Sequence, residues 1–289
     1  MKRTVCLVII FLLAQVLSSL VVLFFFNLSD LLHEGRLDVN ALASSPSALG
    51  ISLLLNGAVV WAVMTLLRWT DRKSFRFRQI KWPVYAVVVL WMLPVIFVVN
   101  LLLETLTLED LNKDVFATLV YNPWGVLAIV LVGPFTEELV FRMGIQRHLI
   151  RYRMRPWMAI LLSALIFGAV HGNPAQIPGA VVFGWVLGWL YWRSGTIWIP
   201  VVAHVFNNFV GVAMLWCTGD TDTTLVELCG GAGAASVWAL AAAVCGYVGY
   251  RYLDKVLGVE GTTVQIQCSG NWNFSQSTQF TLATAIVAM

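Results

Sequence analysis

Two adjacent glutamates, Glu137 and Glu138, interrupt a long apolar run in the segment GPFTEELVFRMG, residues 133–144. A charged side chain at the centre of a bilayer costs at least about 2.5 kcal/mol, so acidic residues in such a run indicate a functional site. Arg142 follows Glu138 by four residues, in the favourable order for an ion pair on a helix. Glu137 points about 100° away from Glu138 and needs another partner. We predict that Glu137 performs chemistry and that Glu138 holds Arg142.

Two histidines are candidate partners for Glu137. His171 lies in LIFGAVHGNP and His204 in PVVAHVFNNF, each within an apolar stretch. Counted from the cytoplasmic ends of their helices at 1.5 Å per residue, Glu137 and His171 lie at a depth of roughly 21 Å and His204 at roughly 16 Å. Asn208 follows His204 by four residues and therefore shares its helix face. The spacing predicts that these polar groups, from three different helices, meet at one depth.

A carboxylate, two imidazoles and a carboxamide in a poorly solvated cleft suggest hydrolysis. A carboxylate such as Glu137 in this setting suits a general base acting on water. His204 and Asn208 can donate hydrogen bonds to a developing oxyanion. Alternatively, zinc could be held by His171, His204 and Glu137 with a water at the fourth position. Neither an HExxH zinc motif nor a GxSxG serine motif occurs in the sequence.

The composition indicates the environment in which these groups act. The chain has 289 residues, of which 59% are hydrophobic and 11% charged, whereas soluble domains carry about 25% charged residues. Eight apolar stretches approach the roughly 17–25 residues that a spanning helix needs. They cover residues 4–27, 47–67, 83–103, 122–146, 157–173, 177–193, 196–217 and 233–250. We predict an all-α, multi-pass bundle of about eight transmembrane helices in a lipid bilayer.

The basic residues predict the orientation of this bundle. Cytoplasmic loops are enriched in Lys and Arg. With the N-terminus inside, all of the 18 basic residues except Arg36 and Lys113 fall at cytoplasmic segments. We therefore expect both termini to be cytoplasmic.

The chain shows no linker or internal repeat that would divide it. We predict one transmembrane domain over residues 1–255, with the chemical motifs in a core over residues 122–217. Residues 256–289 are a polar tail, rich in Ser, Thr, Gln and Asn, to which no role is assigned.

Three short motifs occur in a fixed order in the core. EELVFR reads as EExxxR, FGAVH (Phe167 to His171) as FxxxH, and HVFNN (His204 to Asn208) as HxxxN. In order and separation they resemble the CPBP family of intramembrane endopeptidases, which includes the type II CAAX prenyl proteases and the bacteriocin-processing or Abi proteins. The resemblance covers about a third of the chain.

The resemblance implies a role for each motif residue. Glu137 would activate the hydrolytic water with the help of His171, while His204 and Asn208 would bind the oxyanion. The supporting residues of the site would be Glu138, Arg142 and Phe167. Both a metalloprotease and a metal-free glutamate mechanism are described for the family. We favour the metal-free mechanism, which requires no cofactor, with zinc as the alternative.

These observations predict an intramembrane CAAX-type protease that cuts a peptide bond near the cytoplasmic side of the bilayer. Its substrate would be the C-terminal tail of a prenylated protein, a leader peptide or another membrane-associated peptide, and we expect no nucleic-acid partner. One alternative is a non-catalytic membrane scaffold or immunity protein, in which the polar groups are structural. A proton-coupled transporter with Glu137 as its relay is a further alternative, although no matching pair of broken helices is evident.

Overall fold

The structure is a computed structural model that describes residues 2–34, 45–70, 72–75 and 80–260. Within these ranges every regular element is a helix, so the predicted all-α class is confirmed. The last helix continues to Glu260, five residues past the predicted domain end. The remainder of the predicted polar tail, residues 261–289, lies outside the described residues.

The helices are numbered here in chain order. They are α1 (Lys2–Phe26), α2 (Leu28–Glu34), α3 (Pro46–Leu66), α4 (Trp82–Glu104), α5 (Lys113–Leu119), α6 (Pro123–Arg151), α7 (Pro156–Ala169), α8 (Ile177–Ser194), α9 (Trp198–Thr218), α10 (Leu225–Leu228) and α11 (Ala232–Glu260), with a 3₁₀ turn at Arg72–Phe75. Six of the described helices are long and apolar enough to cross a membrane: α1, α3, α4, α6, α9 and α11. The protein is an integral membrane protein with a polytopic helical bundle. The count of eight spanning helices stays a prediction, because α7 and α8 are not among the six.

Helix α6 carries both glutamates and is irregular in its course. Asn122 caps its start, since its side-chain oxygen accepts hydrogen bonds from the backbone N–H groups of Trp124 and Gly125. Two segments of α6, Ala128–Val132 and Leu139–Gln146, have π-helical geometry. Such segments are rare and frequently lie at functional sites. The glutamates therefore lie at the end of a short α-helical segment between two π segments.

Helices α7 and α8 pack closely beside α6 through small residues. A Cβ atom added at Gly184 would lie 3.1 Å from both Ala164 and the Phe167 ring, and one added at Gly188 would lie 2.8 Å from Gln146 Oε1. Gln146 Nε2 also donates a hydrogen bond to the Gly188 carbonyl at 2.9 Å. Close approach at small residues is the usual way for membrane helices to associate. This packing holds Phe167 against the part of α6 that carries the glutamates.

Candidate active site

His204 of α9 lies between the two glutamates of α6. Its Nδ1 atom is 3.0 Å from Glu138 Oε1, and its Nε2 atom is 3.6 Å from Glu137 Oε2. An ionised carboxylate can only accept a hydrogen bond, so we place the proton of this contact on Nδ1. Nε2 is then the ring nitrogen that faces Glu137. Although the two carboxylates leave α6 in different directions, one imidazole contacts both.

The predicted ion pair between Glu138 and Arg142 is present and fully buried. Arg142 Nε lies 2.9 Å from Glu138 Oε2, and neither side chain has solvent exposure. The Nε–H group does not point along this line, so the contact is an ion pair without a hydrogen bond. Among the described residues, the Arg142 Nη1 and Nη2 atoms have no hydrogen-bond partner, while the guanidinium carbon lies 5.0 Å from the centre of the Phe167 ring. Arg142 therefore neutralises Glu138 inside the protein and has no access to a ligand.

Glu137 differs from Glu138 in its exposure. One quarter of the Glu137 side chain is accessible, against none of the Glu138 side chain. The 3.6 Å separation from His204 is longer than a direct hydrogen bond, so Glu137 keeps its capacity to accept one from another molecule. Of the two adjacent carboxylates, only Glu137 can meet water or a substrate.

His171 lies in a turn rather than inside a helix, which corrects the expectation that the apolar stretch 157–173 is helical throughout. Helix α7 ends at Ala169, and Gly172 follows with a φ of +62°, a left-handed conformation that favours glycine. The end of α7 leaves the Phe167 carbonyl without its usual helical donor. His171 Nδ1 lies 2.7 Å from that oxygen. Because a carbonyl only accepts, Nδ1 carries the proton and Nε2 of the neutral ring is an acceptor.

Phe167 lies beside both imidazoles. Its ring centre is 4.8 Å from that of His171 and 5.8 Å from that of His204, with edge-to-face geometry in both contacts. In the described part of the chain, no ion pair joins His171 to a carboxylate. The structure thus brings Glu137 and His204 into contact, and it places His171 next to them across a single aromatic ring.

Asn208 contacts α6 from the same face of α9 as His204, as their spacing predicts. Its Nδ2 atom donates a hydrogen bond to the Ile129 carbonyl at 2.9 Å, and its Oδ1 atom accepts one from Asn207 Nδ2 at 3.2 Å. The carboxamide is therefore fixed at both ends. One of its two N–H groups is used by Ile129, and the other can serve a ligand.

Comparisons with known proteins match the segment that carries these side chains to one family. Residues 119–210 match the family model described as Type II CAAX prenyl endopeptidase Rce1-like. The segment is therefore similar to the Rce1-like family. It contains all three motifs, and it lies within the predicted core of residues 122–217 apart from its first three residues. The resemblance predicted from the motifs is confirmed.

Three relatives each match about a third of the chain. A protein of Bacillus subtilis (strain 168) named "Putative membrane peptidase YdiL" is 33% identical over 94 residues, which are 32% of this chain and 38% of that protein. Proteins named "CAAX prenyl protease 2" are 29% identical over 109 residues in Arabidopsis thaliana, covering 31% of this chain and 35% of that protein, and 29% identical over 117 residues in Caenorhabditis elegans, covering 34% and 43%. The chain thus spans less than half the length of these relatives. No solved structure matches the chain.

Sequence reasoning missed the effect of Pro134 on the hydrogen bonds of α6. Gly133 donates its N–H to the Ala128 carbonyl, five residues back. The same pattern would pair the next carbonyl, that of Ile129, with the residue at position 134, and proline has no N–H. The Ile129 carbonyl is left for the side chain of Asn208. The signal was present in the sequence as a proline three residues before Glu137, but its consequence depends on the neighbouring helix.

The zinc alternative can be compared with the arrangement of the Rce1-like segment. The described ranges contain no group of three or more His, Cys, Asp or Glu side chains placed to hold a metal ion. Of the predicted zinc ligands, Glu137 and His204 are neighbours, whereas His171 lies on the other side of the Phe167 ring. As arranged here, these residues do not fit a zinc ion.

Proposed function

We propose that this chain is an intramembrane endopeptidase in which Glu137 activates the attacking water. The observation that carries the proposal is the contact of His204 with both glutamates inside an Rce1-like segment. Glu137 is accessible and not saturated by its partner, whereas Glu138 is sealed inside the protein with Arg142. A base that can reach water, next to an imidazole held in a fixed orientation, is what general-base hydrolysis requires.

The reaction proposed for these groups is the addition of water to a peptide bond. Glu137 takes one proton from a water molecule as the water oxygen bonds to the carbonyl carbon of the substrate. The carbonyl oxygen becomes an oxyanion, which a hydrogen bond from the free N–H of Asn208 would stabilise, with a second from His204 when both of its ring nitrogens carry a proton. The C–N bond then breaks as the proton held by Glu137 passes to the amine nitrogen, which yields an acid and an amine.

Glu138 and His171 would act through position and orientation. The carboxylate of Glu138 holds Nδ1 of His204, which sets the direction of Nε2. The Phe167 carbonyl holds Nδ1 of His171 in the same manner, so that Nε2 of His171 can accept a hydrogen bond from the water or from the substrate amide. Groups oriented in advance avoid reorganisation during the reaction.

The proposed substrate is a peptide segment of a membrane-associated protein. The description of the matching family and the names of two relatives support a C-terminal tail of the CAAX prenyl type. The name of the Bacillus subtilis relative supports a membrane peptidase without stating its substrate, so a leader peptide or a plain membrane peptide is the second substrate class. We propose that cleavage occurs toward the cytoplasmic side, with both termini on that side and residues 1–255 acting as one domain.

The experiment compares the wild-type protein and Glu137→Gln, both purified in detergent, on a panel of prenylated and plain peptides. We expect the wild type to cleave and the variant to lose at least about 100-fold in kcat at unchanged abundance. Glu227→Gln is the matched control, because Glu227 is exposed and glutamine at its position can keep the capping hydrogen bond of α10. Bound zinc is measured on the same samples.

Two results would contradict the proposal. Cleavage by Glu137→Gln at the wild-type rate would show that another group activates water. A loss of activity that follows a loss of folded protein in proportion would favour the non-catalytic scaffold instead.

A further inference from the structure

The turn that carries His171 lies at a depth where its backbone needs protein partners. Helix α7 begins after the segment RYRMR, residues 151–155, and has 14 residues, which give a length of about 21 Å. The hydrocarbon core of a bilayer is about 30 Å thick. With the proposed cytoplasmic surface at residues 151–155, the turn over residues 170–176 starts within the membrane. Non-helical backbone at that depth persists only where the protein itself supplies hydrogen-bond partners.

The loop after α4, residues 105–112, supplies these partners. Asn173 is completely buried. Its Nδ2 atom donates a hydrogen bond to Asp110 Oδ1 at 2.7 Å, and its Oδ1 atom accepts one from the backbone N–H of Leu111 at 3.1 Å. A third hydrogen bond runs from the Ala175 N–H to the Glu109 carbonyl at 3.3 Å. Both ends of the Asn173 carboxamide are thus bonded to adjacent residues of one loop.

Contacts before and after His171 in the chain fix its place. On the upstream side its ring is bonded to the Phe167 carbonyl, and on the downstream side only Gly172 separates it from Asn173. A Cβ atom added at Gly172 would meet nothing within 4 Å, so glycine at this position serves the left-handed backbone rather than close packing. The backbone from Asn173 to His171 therefore contains a single intervening residue, Gly172, which has a defined left-handed conformation.

We propose that Asn173 is a positioning residue that clamps the His171 turn to Asp110 and Leu111 and thereby sets the place of His171 Nε2 in the active site. The proposal rests on the proposed function for its effect on catalysis. A shift of about 1 Å in a catalytic group can lower a rate by about 100-fold. The clamp should therefore influence kcat more than KM.

The donor and acceptor pattern of the clamp allows a test by exchange. Asn173→Asp places two carboxylates together, which removes the donor and adds repulsion, while the acceptor for Leu111 stays. The exchange variant Asn173→Asp with Asp110→Asn restores a donor from the opposite side and keeps the acceptor for Leu111. It also removes the acceptor of the Asn112 N–H, which donates to the same Asp110 Oδ1 atom at 2.9 Å. Asp114→Asn is the control for Asp110→Asn, since it makes the same Asp-to-Asn change at an exposed position of α5, two residues beyond the loop.

We expect Asn173→Asp to lose about 10-fold or more in kcat at neutral pH. The exchange variant should recover at least about threefold of this loss, and its recovery is incomplete because the Asn112 N–H lacks its acceptor. The single variant should recover as the pH falls, because the two carboxyl groups can then share one proton and form a hydrogen bond. The titratable and charged groups around the clamp are Glu109, Lys113, Asp114, His171, Asp220 and Asp222. These groups are the same in all variants except the control. A difference in the pH dependence of kcat between the wild type, Asn173→Asp and the exchange variant therefore comes from the contact between residues 110 and 173.

A second measurement does not depend on activity. The rate at which diethyl pyrocarbonate modifies His171, read by peptide mass spectrometry with exposed His33 as the internal reference, should change at least about threefold in Asn173→Asp and return in the exchange variant. If the wild type cleaves no peptide, the proposed function fails, and this labelling still tests the clamp. The clamp is overturned if the exchange variant restores neither kcat nor labelling, or if Asn173→Asp loses thermal stability while both remain at wild-type values.

Discussion

Nδ1 of His204 lies 3.0 Å from Oε1 of Glu138, although the two residues are 66 positions apart in the chain. This contact gives Glu138 two partners, since its other oxygen faces Arg142. Glu138 thereby joins a buried cation on its own helix to an imidazole on α9. The accessible glutamate, Glu137, meets the other nitrogen of the same ring. Adjacent glutamates thus have separate tasks because one is enclosed and the other is not.

Removal of the buried cation should destabilise the protein. Arg142→Met would leave Glu138 with His204 alone in a fully buried position. Breaking a buried ion pair by removing one partner costs about 3–5 kcal/mol. We expect a large fall in the melting temperature in detergent and in the yield of folded protein. The control is Arg251→Met on the exposed face of α11, which should be close to the wild type; equal melting temperatures for the two variants would contradict the prediction.

His204 should be needed for activity more than for folding. His204→Ala removes the ring that contacts both glutamates, and we expect kcat to fall at least about 100-fold. His33→Ala, at an exposed position, is the comparison and should keep the wild-type rate. The measurement is kcat with abundance determined in the same preparation. A fully active His204→Ala protein would remove His204 from the mechanism.

The hydrogen bond between Asn208 and the Ile129 carbonyl should depend on Pro134. Pro134→Ala supplies an N–H that can occupy this carbonyl, which releases the Asn208 carboxamide. We expect kcat to fall about 10-fold, which is less than for Asn208→Ala.

A double-mutant cycle tests whether these two residues act together. In the Asn208→Ala background, Pro134→Ala should have little further effect, because residues that share one interaction are not additive. Additive losses in the double variant would show that Pro134 acts independently of Asn208.

Close packing between α7 and α8 should tolerate no added methyl group at Gly168. A Cβ atom there would lie 2.4 Å from Val181 Cγ2 and 3.0 Å from the Ile177 carbonyl oxygen. Overpacking of this kind costs about 1–3 kcal/mol, so we expect Gly168→Ala to lower the melting temperature. Gly211→Ala, where a Cβ atom would meet nothing within 4 Å, is the matched control. A melting temperature for Gly168→Ala at or above that of the control would contradict this packing.

Features that depend on residues close together in the chain could be predicted from the sequence. The all-α class follows from the long apolar stretches, and the buried pair of Glu138 and Arg142 follows from their spacing of four residues. The order of the three motifs predicted the resemblance that the Rce1-like match confirmed. The apolar stretch 157–173 predicts the end of this helix too late in the chain. In the structure α7 ends at Ala169, and the backbone turns at Gly172.

The sequence by itself determined that apolar helices must enclose a small set of polar residues, since the cost of burying charge leaves few reasons to place two glutamates in such a helix. Only the tertiary structure decided which of these residues touch. His204 meets both glutamates, Asn208 takes the carbonyl that Pro134 leaves free, and Asn173 reaches Asp110 across 63 positions. A hydrogen bond depends on ångström-scale distance and on direction, and both are set by the packing of helices that are remote in the chain.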